Sequence, residues 1–205
     1  MRILRAFLIV TSLFVSCQPV ENQITFSNDE AQRGREWLPE PDLDLRLSYE
    51  KRQIDANLTS YALSVWVVTA DQDVPQEVLQ ENWPPQVLTT YNIYKSPSDQ
   101  IVMIAEYPFS ESGNWFSHNK MYFDEAGAMY AQNIQTVTHN SQCAEVSVVA
   151  DTTRLFAQGQ LRSMIAATYE VLGDTLKTPC EDLYAFDYAQ PSTVREYLQA
   201  TRFIR

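Results

Sequence analysis

Glycine and histidine are both scarce in this chain. It has five glycines, two histidines and three cysteines in 205 residues. So few glycines leave no glycine-rich loop of the kind that holds phosphate groups, and no His-Glu-x-x-His zinc helix is present. The sequence also lacks a Gly-x-Ser-x-Gly elbow and an EF-hand loop. We therefore predict no catalytic residues, no cofactor and no metal site.

Basic residues are also few. Fifteen Lys and Arg against 26 Asp and Glu give a formal net charge of -11. Proteins that bind nucleic acid need basic patches that release counterions from the phosphate backbone, so we expect no nucleic acid among the partners. The same acidity disfavours a surface that lies flat on anionic lipid. Solubility is its simplest explanation.

Long apolar runs are missing as well, since a membrane-spanning helix needs about 20 apolar residues. The apolar stretch over residues 6–15 is about half that length and follows Arg2 and Arg5. A basic start, a short apolar stretch and then the small residue Ser16 before Cys17 are the parts of a secretory signal.

The segment 14–17, Phe-Val-Ser-Cys, resembles the signal of bacterial lipoproteins, with Phe14 where that family usually has leucine. The resemblance implies cleavage before Cys17, acyl chains on Cys17 and anchoring to the cell envelope. In Gram-negative lipoproteins an aspartate after the cysteine favours retention in the inner membrane. Gln18 stands there instead, which implies the outer membrane. An ordinary secretory signal and an uncleaved membrane anchor are the alternatives.

Three parts are predicted along the chain: a signal peptide over 1–16, a lipidated flexible tether over 17–44, and a single globular domain over 45–205. The tether is rich in Glu, Asp, Asn, Gln and Pro. Such a composition buries too little apolar surface to offset the entropy of ordering. The alternative is a tail held against the domain by Phe26 or Trp37.

Three similar segments predict an antiparallel β-meander. Each consists of an apolar or aromatic strand, a turn and a second strand, with turns at 96–99, Gly127 and Gly159. Glycine suits such turns because it readily adopts positive φ. The predicted strand pairs are 90–95 with 100–107, 120–123 with 129–137, and 153–156 with 161–171. The fold class is therefore α+β, with about six strands in three hairpins.

An apolar sheet face needs a covering element. Apolar residues recur at helical spacing between Ile54 and Val65, which favours a helix over 48–68 that packs on one face. Because valines are frequent at its end, a buried strand from Tyr61 stays the alternative, and residues 54–68 are left as helix or strand. Short helices are also predicted over 76–82 and 193–203, the second with a capping box formed by Thr193 and Glu196.

Cys143 and Cys180 flank the third predicted hairpin. Export would place them where disulfides persist, and the meander would bring them together. We predict a disulfide between them, with two unpaired thiols or a metal site as the alternatives. Neither His118 nor His139 lies within three residues of a cysteine, which disfavours a metal site.

His118 and His139 are also the side chains expected to titrate near neutral pH. We expect them to be polar residues at strand ends, while a general base or a metal pair is the functional alternative. Trp83 and Trp115 lie beside predicted loops, next to Pro84 and near Gly113. Because aromatic side chains serve binding surfaces well, these two are candidates for contact with a ligand or partner.

Three classes of function are consistent with the sequence. We favour a non-catalytic envelope lipoprotein, held at the membrane by N-terminal acyl chains, that binds an apolar ligand or an envelope protein through its sheet. A structural, interaction or inhibitor-like lipoprotein that uses an exposed edge strand or loop is the second. The third is a hydrolase that uses His118 or His139, which requires a histidine within hydrogen-bond reach of a carboxylate.

We predict that radiolabelled palmitate enters the chain in its native host, and that globomycin, which blocks cleavage of lipoprotein precursors, causes the precursor to accumulate. Acyl carbons hold a protein at a membrane because each buried CH₂ contributes ~0.8 kcal/mol. Mass spectrometry of the protein extracted from its own membrane would show the lipid on Cys17. An unmodified, full-length N-terminus would contradict the lipoprotein assignment.

Overall fold

A computed structural model describes residues 40–80, 82–172, 176 and 180–204. Cys17, the predicted signal peptide and most of the predicted tether lie outside these residues. The described residues belong to one compact unit. None of the helices in this part of the chain combines the length and the apolar character needed to cross a bilayer.

Eight antiparallel strands form one open sheet. The strands are β1 (Ala62–Thr69), β2 (Gln72–Glu77), β3 (Val87–Lys95), β4 (Ile101–Pro108), β5 (Trp115–Phe123), β6 (Met129–Thr138), β7 (Val148–Ala157) and β8 (Gln160–Glu170). Their order in the sheet is β2-β1-β3-β4-β5-β6-β7-β8. Helix α1 (Glu40–Ala56) precedes the sheet and helix α2 (Val194–Ala200) follows it. The predicted α+β class is confirmed, and the sheet has two strands more than the predicted six.

The three predicted hairpins are β3-β4, β5-β6 and β7-β8. Gly127 and Gly159 lie in the turns of the second and third, at φ +77° and +73°. At Gly127 an added Cβ would also lie 3.1 Å from Val194 Cγ1, at the start of α2. Glycine is required there both by the backbone conformation and by the close approach of α2.

The predicted helix over 48–68 is wrong in both bounds. Helix α1 begins at Glu40, inside the predicted tether, and ends at Ala56, and residues 62–69 form β1. After α1 the chain turns at Asn57, whose side chain donates to Gln53 O, and passes through a 3₁₀ turn (Leu58–Ser60). The β-branched valines of β1 then follow the strand preference that was the alternative.

The short helix predicted over 76–82 is also wrong. Residues 72–77 form β2, which pairs with β1 at the edge of the sheet. An edge strand tolerates the proline at position 75. The chain then crosses from β2 to β3, which pairs with the other side of β1.

Both faces of the sheet are covered. Face 1 packs against α1, and its core contains Leu47, Ile54, Met103, Ala105, Tyr122, Tyr130, Ala131 and Leu155. Face 2 is covered by residues 180–204, which we term the strap and which include α2. The core of face 2 contains Tyr91, Ile93, Ile104, Met121, Phe123, Met129, Phe156 and Tyr197. Burial on both sides explains why successive residues at the end of β5 are all apolar.

The strap is fixed at both ends. At its start, Cys180 forms a disulfide with Cys143, with Cα atoms 5.5 Å apart, as predicted. Near its end, Phe203 packs edge-on against Trp66 and Tyr91, with ring centroids 5.4 and 5.3 Å away. The strap therefore runs across face 2 from the loop after β6 to the first strands of the sheet.

Helix α2 begins where the capping box was predicted. Thr193 is its N-cap, and the Glu196 N–H donates to Thr193 Oγ1 over 3.1 Å. The Glu196 carboxylate in turn accepts from the Ser192 N–H over 2.7 Å, one residue before the cap. These bonds satisfy amide groups that the first turn of a helix leaves unpaired. The helix ends at Ala200, three residues before the predicted end.

Two leucines on neighbouring strands test the core. Leu155 in β7 is 2 % exposed and belongs to the core of face 1, whereas Leu161 in β8 is 53 % exposed. We expect Leu155→Ala to lower the free energy of unfolding by about 2–5 kcal/mol, because it leaves a cavity. Leu161→Ala should change it by less than about 0.5 kcal/mol. Urea unfolding measures both values, and similar losses for the two variants would contradict this core.

Candidate functional site

A row of four polar side chains crosses face 2 beneath the strap. Arg154 Nη1 donates to Gln132 Oε1 over 3.1 Å, Gln132 Nε2 donates to Asn119 Oδ1 over 3.0 Å, and Asn119 Nδ2 donates to Glu106 Oε2 over 3.4 Å. The four residues lie on β7, β6, β5 and β4 in turn. We term this row the amide relay, since two amides join a guanidinium group to a carboxylate.

All donors in the amide relay point towards Glu106. Hydrogen bonds aligned in one direction polarise one another, which strengthens each of them. Glu106 forms no ion pair within the described part of the chain, and its negative charge is stabilised by hydrogen bonds alone. Burial raises the pKa of the Glu106 carboxyl, while the bonds from Tyr197 and Asn119 partly oppose that rise.

The strap closes the amide relay from above. Tyr197 OH donates to Glu106 Oε2 over 3.0 Å, and Gln132 Nε2 donates to Ala189 O over 3.1 Å. Beside them, Tyr188 OH lies 2.8 Å from Ser117 Oγ, and burial raises the pKa of Tyr188 to about 12. The relay is therefore enclosed between sheet and strap, where its role is to hold the two together.

A second polar cluster lies on face 1 around His118. His118 Nε2 is 3.1 Å from Asn133 Oδ1, and Asn133 Nδ2 donates to Asp151 Oδ1 over 2.7 Å. Gln135 Nε2 donates to Asp151 Oδ2 over 3.1 Å. Because the Asn133 amide nitrogen is used on Asp151, its oxygen accepts, and the network assigns the proton to His118 Nε2.

In the assigned tautomer the other nitrogen of His118, Nδ1, carries no proton and has a lone pair that can accept a hydrogen bond. In the described part of the chain Nδ1 forms no hydrogen bond. Burial lowers the pKa of His118, as do the nearby charges of Lys120 and Lys51, while the Asn133 bond and Asp151 act in the opposite direction. The ring is therefore neutral at pH 7, which suits it to accept a proton or a hydrogen bond.

The two histidines do not form one site. His139 follows β6 and its Nδ1 lies 2.7 Å from Ser147 Oγ. Its N–H bonds to Asn114 O, whereas His118 stands opposite Gln135, four residues away along β6, or about 13 Å. His118 reaches the carboxylate of Asp151 through Asn133 and not directly. The direct histidine–carboxylate contact required for the hydrolase alternative is not formed in the described residues.

The two tryptophans have different surroundings. Trp83 is exposed in the connection between β2 and β3. Trp115 is half-buried, and its ring centroid lies 4.6 Å from that of Phe186 and 6.0 Å from that of Tyr184. Trp115 therefore packs against the strap, and Trp83 is the one that offers an open aromatic surface.

One group of potential metal ligands occurs in the described residues. The sulfur atoms of Cys143 and Cys180 and a carboxylate oxygen of Asp182 lie within 4.8 Å of one another. Metal binding needs thiolates, and these sulfurs are joined in the disulfide. The Gln142 amide and the Ser141 hydroxyl donate to Asp182 and lower its pKa, so Asp182 fixes this loop to the strap.

Sequence reasoning missed the amide relay and the exposure of β8. Glu106 gave a local signal, since a carboxylate within the apolar segment 101–107 needs partners if that strand is buried. The exposed apolar side chains of β8 include Met164 and Ile165, which are 57 % and 65 % exposed. They gave no signal, because the segment 161–171 reads as an ordinary strand of a hairpin.

The pH dependence of stability tests the burial of Glu106. Below the ordinary Glu pKa of 4.5 its carboxyl is neutral in both states. As pH rises through its raised native pKa, the folded protein loses the stability that the neutral form gives. Glu106→Gln cannot ionise, so we expect its free energy of unfolding to increase, relative to the native chain, from about pH 4.5 upwards.

Urea unfolding at a series of pH values measures this difference. The control is Glu125→Gln, which changes an exposed glutamate in the β5-β6 turn. It should follow the native chain at every pH. Parallel curves for Glu106→Gln and the native chain would show that Glu106 is not desolvated.

Comparisons of the chain with models of known protein families, with curated proteins and with solved structures found no match. The function is therefore argued from the geometry of the described residues. Three features carry that argument: the sealed amide relay on face 2, the His118 cluster on face 1, and the exposed strand β8.

Proposed function

We propose that this chain is a lipid-anchored, non-catalytic protein of the bacterial cell envelope that binds another envelope protein by strand addition to β8. In strand addition, an extended segment of the partner pairs with the free edge of a sheet. Main-chain hydrogen bonds then supply affinity, and side chains on either face supply specificity. The proposal rests on β8, which lies at the edge of the sheet and exposes apolar side chains.

Strand β8 is long, and its central residues are apolar and exposed, whereas Arg162 near its start pairs with Asp44 of α1. The strand has 11 residues, and β7 is its neighbour in the sheet. Residues 164–168 are all exposed, and no charge or proline occurs between 163 and 169. Most proteins protect a sheet edge with charges, prolines, bulges or a covering element, because a free edge pairs with other chains. An edge left apolar and open is therefore suited to a partner strand.

The opposite edge of the same sheet shows the usual protection. Strand β2 has six residues, and they include Asp73, Pro75 and Glu77. Asp73 also forms an ion pair with Arg202 of the strap. Short length, acidic side chains and a proline all oppose edge pairing. Since the centre of β8 has none of these protections within the described residues, it marks the interaction surface.

Alternate amides of β8 are available to a partner. The Val171 N–H donates to Ser147 O over 2.9 Å, so odd-numbered residues of β8 direct their amides towards β7. Even-numbered residues, including Ala166 and Thr168, direct theirs outwards. We expect the partner to present an extended apolar segment that packs beside Met164 on one face and Ile165 on the other.

The N-terminal sequence supports the cell envelope as the location of this interaction. The lipoprotein-like signal before Cys17 supports an acylated cysteine at the envelope, with the outer membrane favoured by Gln18. Attachment through acyl chains leaves the domain free to present β8 to another envelope protein. Membrane contact in this proposal is limited to the acyl chains.

Proline substitutions at two adjacent residues of β8 test whether its outward amides bind a partner. Ala166→Pro removes an outward amide, so we expect it to abolish partner binding while the thermal unfolding midpoint stays within a few degrees. Ala167→Pro removes an amide bonded to β7 and should lower the free energy of unfolding by about 1–3 kcal/mol. A photo-crosslinking residue at position 168, used in the native host, detects the partner as an adduct of discrete mass.

The control places the same photo-crosslinking residue at Val74 in β2, where no adduct is expected. Persistence of the position-168 adduct in Ala166→Pro, or an equal adduct from position 74, would exclude strand addition at β8. An adduct of twice the mass of the chain would identify a second copy in place of another envelope protein and would overturn that part of the proposal.

A further inference from the structure

Face 1 carries an aromatic patch around the His118 cluster. Tyr107 and Phe116 lie side by side with ring centroids 6.0 Å apart, and each lies about as far from the His118 ring, at 6.1 and 6.2 Å. Phe116 is 44 % exposed and stands opposite Val137 in β6. Phe116 is therefore the accessible part of the patch, Tyr107 is partly buried, and His118 is 7 % exposed.

Side chains on face 1 become more polar along β5 with distance from Phe116. Phe116, His118 and Lys120 alternate with residues of the other face, so all three lie on face 1. The row from Phe116 to Lys120 is about 14 Å long at the rise of an extended strand. It changes from an apolar ring to an imidazole and then to an ammonium group. An elongated molecule with one apolar and one anionic end would match this order.

Lys120 has no counter-ion in the described part of the chain. Lys51 pairs with Asp55 and Lys95 pairs with Asp99, each over 2.9 Å. Lys120 forms neither an ion pair nor a hydrogen bond with a described residue, although the chain has 26 acidic residues against 15 basic ones. The residue is partly buried, and its charge has no partner on the protein among the described residues. An anionic ligand group would supply that partner.

Asp151 is the acidic group near His118, and it is held by amide donors. Its two carboxylate oxygens accept from Asn133 and Gln135, over 2.7 and 3.1 Å. These donors hold Asp151 on the β6-β7 side of His118. The charged groups around the imidazole are then Asp151 from β7, Lys120 from β5 and Lys51 from α1, and Lys51 is paired with Asp55.

We propose that this part of face 1 binds a linear monocarboxylate of the fatty-acid class, with its carboxylate at Lys120 and its alkyl chain over Tyr107 and Phe116. This site is distinct from the β8 edge and does not depend on strand addition there. His118 lies between the two ends of the ligand. With Nε2–H held by Asn133, its Nδ1 is left as the proton acceptor.

Binding is coupled to proton uptake at His118. The ring is neutral before the ligand arrives, and a carboxylate placed beside it stabilises the imidazolium. His118 Nδ1 then takes a proton from solvent and donates it in a charge-assisted hydrogen bond to the carboxylate. Affinity for the carboxylate therefore increases as pH falls through the pKa that His118 has in the complex.

Octanoate labelled with ¹³C at the carboxyl group is the probe. Titration into the full chain, followed by NMR, should give saturable binding that weakens about tenfold or more in Lys120→Gln, because a hydrogen bond to a charged group is lost. The matched control is Lys95→Gln, which changes a paired lysine on β3. It should bind as the native chain does. Octanol should bind weakly and equally to all three proteins.

Calorimetry of the same titration in two buffers of different ionisation enthalpy counts the protons taken up. The native chain should take up a fraction of a proton per octanoate near pH 7, and His118→Gln should take up none. Equal octanoate affinity in Lys120→Gln and the native chain would overturn the site. So would the absence of saturable binding, or proton uptake that persists without His118.

Discussion

A desolvated carboxylate with no ion-pair partner among the described residues is the constraint on which face 2 depends. Glu106 lies within β4, and its hydrogen-bond partners come from a neighbouring strand and from the strap. Removing an ionisable group from water is costly unless donors replace the water. Asn119 and Tyr197 provide those donors, and the amide relay extends the network to Arg154. The strap is therefore held on the sheet by hydrogen bonds as well as by apolar packing.

One face of the sheet is covered by the strap, the other is partly covered by α1, and β8 lies at one edge. On face 2 the strap is joined to the sheet by the disulfide, by hydrogen bonds to the amide relay and by the aromatic contacts of Phe203. On face 1, Phe116 beside His118 stays exposed. At the end of the sheet, β8 has a row of outward amides that no described backbone group bonds. Recognition is expected where covering is incomplete, since a sealed surface has little to offer a ligand.

Features that depend on nearby residues were predictable from the sequence. The hairpins at Gly127 and Gly159 and the cap at Thr193 each follow from a few adjacent residues. Residues 48–68 were harder, because an apolar spacing that fits one helix also fits a helix followed by a strand. The β-branched side chains of β1 decided the outcome once the strand had neighbours on both sides.

Features that depend on distant residues were not predictable. Strand β8 is an edge because no described strand follows it in the sheet, and its own composition does not reveal that. The partners of His118 and Glu106 come from other strands and from the strap, so neither site has a compact motif. The disulfide was an exception, because two cysteines flanking one hairpin leave few ways to pair.

The position of the strap after all eight strands has a kinetic consequence. Neighbouring strands of the sheet are mostly consecutive in the sequence, so they can pair through short loops. Tyr197 and Glu106, by contrast, are 91 residues apart. Contacts of such separation close late because their loop entropy is larger. The sheet then forms first with a hydrated Glu106, and arrival of the strap drives off that water. Because burial raises the pKa of the Glu106 carboxyl, this last step favours its protonated form.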